Sequence, residues 1–356
     1  MQSWFGTSRL VYNASVEYLN LPKEQKDKGG WMSFATDYLN KLKVDKPSTL
    51  EVPFQIKKIA VEDAFKAFSN GIKKCKKTGE PFKLKFRSKK NPVQSCYIPK
   101  SALNSKGIYP RVLSELKLTE SFPEEPMDSR LIMENNQFYI CVPYKQSISL
   151  SENQGRCVAL DPGIRTFVTG FSETETFKIA SGDFARIARL CSYIDLLISK
   201  KSKAKAKQKY RLNRALMKLR AKHKSIIDEL HYKTINFLVK NYDIILLPTF
   251  ETGSMVQKKN RKLQSKTARM MLSFSFYKFS QRLESAAKRY NRLVVRCSEA
   301  FTSKTASWTG EIVNIGSKKI ISSNNVTVDR DINGARGIFL RALVDNPSLQ
   351  YCSVHS

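Results

Sequence analysis

The chain has 356 residues, 62 Lys+Arg against 31 Asp+Glu, and a formal net charge of +31. That length holds two or three domains with real cores, and that charge excludes an ordinary soluble enzyme working without a polyanionic partner. No apolar run nears the ~20 residues of a membrane span, and Met1-Gln2-Ser3-Trp4-Phe5 is not a basic-then-apolar signal. The expected partner is therefore nucleic acid, with no membrane association and no secretion. Seven cysteines are scattered without paired spacing, which reads as reduced intracellular thiols filling cores.

Residues 1–78 read as helical. Trp4, Phe5, Leu10, Val11, Val16 and Leu19 suit an amphipathic helix that ends before Leu21-Pro22. A second helix is expected near Trp31 to Leu42. A third starts near Pro53, carries Ile56, Ile59, Ala60, Ala64, Phe65, Phe68 and Ile72 at helical spacing, and stops at Thr78-Gly79. From Phe82 the period changes to two. Phe82-Lys83-Leu84-Lys85-Phe86-Arg87 predicts a strand with one face for a core, so that Lys83, Lys85, Arg87, Lys89 and Lys90 are the candidate phosphate contacts. Further strands are expected at Ser95–Ile98, Arg130–Glu134 and Phe138–Val142, with Asn135-Asn136 as the turn between the last two. Together, 79–150 reads as a small barrel or antiparallel sheet.

Residues 151–340 read as α/β. Cys157-Val158-Ala159-Leu160 runs straight into Asp161, Pro162-Gly163 forces a turn, and Thr166 to Gly170 returns as a second strand. A strand apolar on both faces is buried, so Asp161 is held at a rigid sheet rim, where a divalent metal is the usual partner of such a carboxylate. Basic helices follow: six lysines in Lys200–Lys209, then Tyr210–Lys224, then Ile226–Val239. His223 and His231 are expected on helix surfaces, since no metal-ligand spacing pairs them. A buried strand Ile244–Leu247 ends at Pro248, and a basic loop spans Lys258–Lys262. A helix from about Ser265 to Tyr290 and a strand at Leu293–Cys297 come next. In Val328-Asp329-Arg330-Asp331-Ile332-Asn333-Gly334-Ala335-Arg336, Asp331 is a helix N-cap or first-turn residue.

Val158–Gly163 and Asp329–Arg336 resemble the first and third RuvC motifs of TnpB-type RNA-guided nucleases. His231-Tyr232-Lys233-Thr234, Ser265–Arg269, Thr302–Thr305, and Trp4-Phe5-Gly6 with Arg9 and Tyr12-Asn13 agree with them in order. The pattern is nearest to Fanzor, the eukaryotic and viral branch. The resemblance implies an RNase-H-like RuvC nuclease domain over 151–341 with a degenerate zinc-ribbon insert at about 302–327. It also implies a helical recognition lobe over 1–78, a wedge-like β-barrel over 79–150 and a tail over 342–356. It implies an RNA-guided DNA endonuclease whose partners are a guide RNA and target double-stranded DNA, with two Mg²⁺ on three carboxylates. Such a protein is nuclear in a eukaryote or its virus, and otherwise cytoplasmic. A catalytically inactive RNA-guided DNA-binding protein and a guide-independent nuclease or transposition protein are the alternatives.

Three departures from the family pattern stand out. The first zinc knuckle reads Ala306-Ser307-Trp308-Thr309 and no cysteine lies between 298 and 351, so zinc is expected to be absent, with packing around Trp308 in its place. Relatives place a barrel strand before the first helix, and this chain is expected to lack it. Pro248 stands where the middle motif usually has glutamate, which leaves Glu251 and Glu299 as candidates. Glu299 is preferred, because Fanzors and some relatives resemble that placement. The expected set is Asp161, Glu299 and Asp331.

Overall fold

The computed structural model describes residues 1–22, 25, 30–145, 155–182, 184–250, 252–257, 264–297, 304–313 and 320–346. They form two compact units, Met1–Lys145 and Gln146–Ser356. No helix among the described residues is long and apolar enough to cross a membrane.

In the first unit the helices α1 (Gln2–Leu19), α2 (Gly30–Asp45) and α3 (Phe54–Thr78) fall where the 3.6-residue period puts them. Gly79 ends α3 in the left-handed conformation, φ 72°, a C-terminal position that suits glycine. Strand β1 (Val93–Ile98) leads into the small hairpin β2 (Leu103–Asn104) and β3 (Gly107–Ile108), then the single turn α4 (Pro110–Leu113). Strands β4 (Ser129–Glu134) and β5 (Gln137–Cys141) follow, joined by Asn135-Asn136, both at positive φ. The antiparallel order is β1-β4-β5, so of the two arrangements expected over 79–150 the described residues form the antiparallel sheet. Helices and sheet share one core, with Trp4, Phe5, Val52 and Ile56 packed on Cys96, Ile98 and Leu131.

Residues 82–87 form no strand, contrary to the alternation. Their backbone is held by a side chain: Arg87 N–H donates to Asn13 Oδ1 at 2.7 Å, and Asn13 Nδ2 donates to the Arg87 carbonyl at 3.0 Å. Phe82 and Leu84 pack onto the helices, which fixes the alternation without a partner strand.

The second unit carries a five-stranded sheet in the order β10-β9-β6-β7-β8. Strands β6 (Cys157–Pro162), β7 (Val168–Phe171) and β8 (Thr176–Ile179) form an antiparallel meander. Helices α5 (Phe184–Lys203) and α6 (Ala206–Asn241) then lead to β9 (Ile244–Pro248), which lies parallel to β6. Helices α7 (Thr252–Val256), α8 (Ser265–Phe274) and α9 (Phe276–Arg289) precede β10 (Leu293–Cys297), parallel to β9. The hairpin β11 (Ile320–Ser323) and β12 (Val326–Asp329) runs into α10 (Arg330–Asp345).

Side-chain parity divides the sheet. Val158, Leu160, Ile245 and Leu247 face α5, α6, α8 and α9 across one core, while Ala159, Ile244, Leu246 and Cys297 face α10 with Ile338, Phe339 and Ala342. The expected helix over 265–290 is two helices, broken at Ser275 with φ 52°. The basic segments expected as separate helices over 210–239 are one helix, α6.

His231 is not on a surface, as its helix position alone suggested. It is fully buried, stacks on Phe167 with ring centroids 5.4 Å apart, and meets the Phe274 carbonyl through Nε2 at 2.8 Å. The break at Ser275 turns that carbonyl toward α6, and Arg282 Nη1 sits 3.2 Å from Nδ1. Burial, aided by the Arg282 charge and opposed by the Phe274 carbonyl, pushes the His231 pKa down to about 4. The unfolded chain takes up that proton near pH 6.5 and the folded chain only near 4. Stability from this residue is complete above ~6.5 and falls as the pH drops toward 4, by up to about 3 kcal/mol. Urea unfolding at pH 7 and pH 4.5 should show this loss in the unmodified protein and a flatter dependence in His231→Gln; equal slopes would contradict it.

Candidate functional site

Asp161 follows the parity of Cys157 and Ala159, so it leaves β6 on the face covered by α10. The turn behind it is tight. A Cβ on Gly163 would lie 2.8 Å from the Thr166 carbonyl, and Gly163 N–H donates to the Phe167 carbonyl at 3.1 Å. Val158, Ala159 and Leu160 are all fully buried, which gives the carboxylate a rigid support.

Helix α10 supplies the opposing residue. Asp329 is its N-cap, with Oδ1 accepting from the backbone N–H of Asp331 at 3.0 Å and of Ile332 at 3.3 Å. Its other oxygen meets Lys178 Nζ of β8 at 2.7 Å. Burial alone would raise the Asp329 pKa, but Lys178 and the two N–H donors hold it below the usual carboxylate range. Asp329 is thus occupied in starting the helix. Asp331, in the first turn, has no role of that kind: among the described residues its carboxylate meets no hydrogen-bond donor or cation. The helix N-terminus favours its negative charge.

One contact brings the two aspartates to one place. An ideal Cβ on Gly334 would lie 2.6 Å from Asp161 Oδ2 and 3.4 Å from its Cγ, so the carboxylate rests directly on the glycine backbone. Gly334 is one turn beyond Asp331, where Cβ positions on a shared face are about 5–6 Å apart. Asp161 Oδ2 therefore lies within about 8 Å of the Asp331 Cβ. Oxygen donors this close suit a hard cation such as Mg²⁺. Among the described residues no three His, Cys, Asp or Glu side chains gather to hold a metal. Both candidates for a third carboxylate, Glu251 and Glu299, lie outside those residues, as does the basic loop from Lys258.

Asn333 shows what the sequence reading missed. It is fully buried, its Nδ2 donates to the Thr305 carbonyl at 2.8 Å, and its Oδ1 accepts from Ser307 N–H at 2.9 Å. It clamps the 304–313 segment onto α10 between the acidic residue and Gly334. That segment and the β11–β12 hairpin share a small core of Ala306 and Ile321 with Trp308 and Val313. Trp308 Nε1 donates to the Ser323 carbonyl at 3.1 Å, and Ser323 Oγ links Thr309 and Glu311.

Of the five basic residues singled out in the first unit, Arg87 is engaged within the protein. Its guanidinium lies 3.7 Å from the Tyr12 ring centroid and 3.3 Å from Asp63, which also takes a bidentate pair from Arg130 at 2.6 and 2.8 Å. Burial would raise the Asp63 pKa, but Arg130 and Arg87 hold it down. Lys83, Lys85, Lys89 and Lys90 are exposed.

Residues 276–338 match the family described as Cas12f1-like, TNB domain. A TnpB-like protein of Acanthamoeba polyphaga mimivirus is 26% identical over 364 residues, covering 95% of this chain and 69% of the viral one. The chain is thus similar over nearly its whole length to TnpB-like proteins. A putative transposase of Paramecium bursaria Chlorella virus 1 is 28% identical over 360 residues, 94% of this chain and 82% of its own length. Among solved structures, the Cas12f1 chain of a Cas12f1–sgRNA–target DNA complex superposes with a TM-score of 0.55 at 13% identity, over 97% of this chain and 82% of that one. The fold is accordingly the mixed α/β, RuvC-containing fold of TnpB and Cas12 proteins.

Proposed function

We propose that this TnpB-like protein is an RNA-guided DNA endonuclease of the Fanzor type, cutting at a site made by Asp161, Glu299 and Asp331. The observation that carries the reading is the seat of the Asp161 carboxylate on Gly334, one turn from Asp331. The superposed Cas12f1 chain was solved with a guide RNA and target DNA, which supports the same two partners here. Net charge supports them as well, because a guide and its duplex offer many phosphates.

The chain's own residues divide the work. Strand β6 holds the Asp161 carboxylate without freedom to swing, and Asp329 with Lys178 fixes the start of α10 and so the position of Asp331. Two Mg²⁺ ions on these carboxylates, when bound, supply an acidified water and neutralise charge on the leaving oxygen of a phosphodiester. Glu299 fits the third position by parity. Cys297, two residues before it, is in register with Pro248, and Val295 and Cys297 face α10. Glu251 fits less well, because the chain has already turned away by Phe250, whose ring packs against Phe276 on the opposite face.

A zinc ribbon does not fit the insert. Cysteine is missing from 298–351, and Trp308 with Ala306 and Ile321 makes a small apolar core there. Dialysis against a zinc chelator should leave the melting temperature unchanged. Trp308→Ala, at a half-buried ring, should lower stability by about 2 kcal/mol. A chelator-induced drop in melting temperature would reverse this reading.

Cleavage of a matched DNA duplex by the purified protein with its RNA, in Mg²⁺, tests the proposal. Cutting only where the duplex pairs with the RNA is expected, and EDTA should stop it. Tight, matched binding without cutting would favour the inactive DNA-binding alternative. Cutting regardless of pairing would favour the guide-independent one.

A further inference from the structure

The hairpin of α5 and α6 carries a long stretch of one-signed charge, of which Lys224 is paired with Asp228. Residues 196–227 contain 12 Lys and Arg and no Asp or Glu. Most of α6 before Ile227 packs only through one seam: Leu216 is buried, and Leu212, Leu219 and His223 are half-buried beside it. Lys201 Nζ, donating to Asn213 Oδ1 at 2.5 Å, ties the two helices together near the tip.

Opposite that seam runs a straight row. Lys207, Arg211, Arg214, Lys218 and Lys222 are spaced four, three, four and four residues apart, which keeps them within ~80° of one another around the helix. All five are exposed, and among the described residues none has a salt-bridge or hydrogen-bond partner. Several other cations of the unit are paired. Arg269 pairs with Asp195, Lys278 and Arg282 with Asp228, Arg292 with Asp243, and Arg296 with Glu284. A solvated helix face placed for solubility alone would mix signs as those do.

Resting on the function proposed above, we infer that this row is a backbone-binding rail for a nucleic-acid double helix. The row spans about 22 Å along a rigid helix. Evenly spaced cations on a straight rod match the phosphates of a stiff duplex. A flexible single strand is instead held by rows of stacking aromatic rings, and among the described residues of α6 from 206 to 227 the one aromatic ring besides His223 is Tyr210. On α6 itself Leu212, Leu216 and Leu219 lie in the seam rather than beside the cations, so the row is not the polar half of an interfacial membrane helix.

The test is the salt dependence of binding to an RNA–DNA hybrid duplex. Each neutralised phosphate contributes ~0.9 to the slope of log affinity against log salt. Replacing all five residues by glutamine, which keeps helix propensity, should reduce that slope by about 4.5. A second variant, with the three lysines changed to arginine, should keep the full slope, and circular dichroism should show both variants as helical as the parent. A slope changed by less than about 1 in the glutamine variant overturns the inference while leaving the function standing. So does a loss confined to single strands or to anionic vesicles. A flat salt response in the unmodified protein would remove the nucleic-acid reading altogether.

Discussion

Asp161→Ala is expected to lower target cleavage by roughly 10³-fold or more while guide RNA binding and melting temperature stay near those of the parent. The reason is local. The side chain ends on the α10 backbone and contributes little to the apolar core beneath it, so its removal takes a hard ligand without opening a cavity. Asp331→Ala should match it in size, because two carboxylates that share a metal pair act as a unit and their losses do not add. Asp329→Ala should behave differently. It removes a helix cap and the Lys178 ion pair, so it should cost about 1 kcal/mol of stability with a smaller effect on cleavage. Single-turnover cleavage and thermal unfolding of the three variants separate these roles. Equal stability losses in all three, with binding lost as well, would mean that Asp161 and Asp331 are structural.

The second large effect concerns the third carboxylate. Glu299→Ala should reduce cleavage as severely as Asp161→Ala, whereas Glu251→Ala should leave it within about threefold of the parent. Pro248 cannot serve, having no ligand atom in its side chain. Extending the parallel register from Ala159 and Leu246 brings Asp161 level with Pro248, and Cys297 is paired with Pro248 directly. A carboxylate on the outer strand can thus stand in for one on the middle strand without rearranging the sheet. Severe loss in Glu251→Ala with an active Glu299→Ala would assign the position the other way.

Much of this was legible in the residues. The parity of Cys157 to Asp161 gives the face on which the carboxylate emerges, and Asn135-Asn136 marks a hairpin that the structure contains. The same dipeptide signal at Asn324-Asn325, both at positive φ, marks the β11–β12 hairpin, a signal that the resemblance to a zinc ribbon over 302–327 masks. Other features are set by tertiary contacts that no local pattern carries. Ser275 breaks a helix at an ordinary polar residue, and His231 is buried by the aromatic cluster around Phe167 rather than by its own helix period. The alternation of 82–87 is genuine, yet the side chain of Asn13 takes the place of a partner strand. Arg87, expected on a phosphate-binding face, is drawn inward by Asp63 and Tyr12.

The most direct test of the account is to purify the protein from cells expressing its own gene with its flanking DNA, and to sequence the RNA that comes with it. A guided nuclease predicts one discrete, structured RNA mapping beside the gene, with a variable end able to pair with target DNA. A collection of random cellular fragments, with no species enriched, would contradict it.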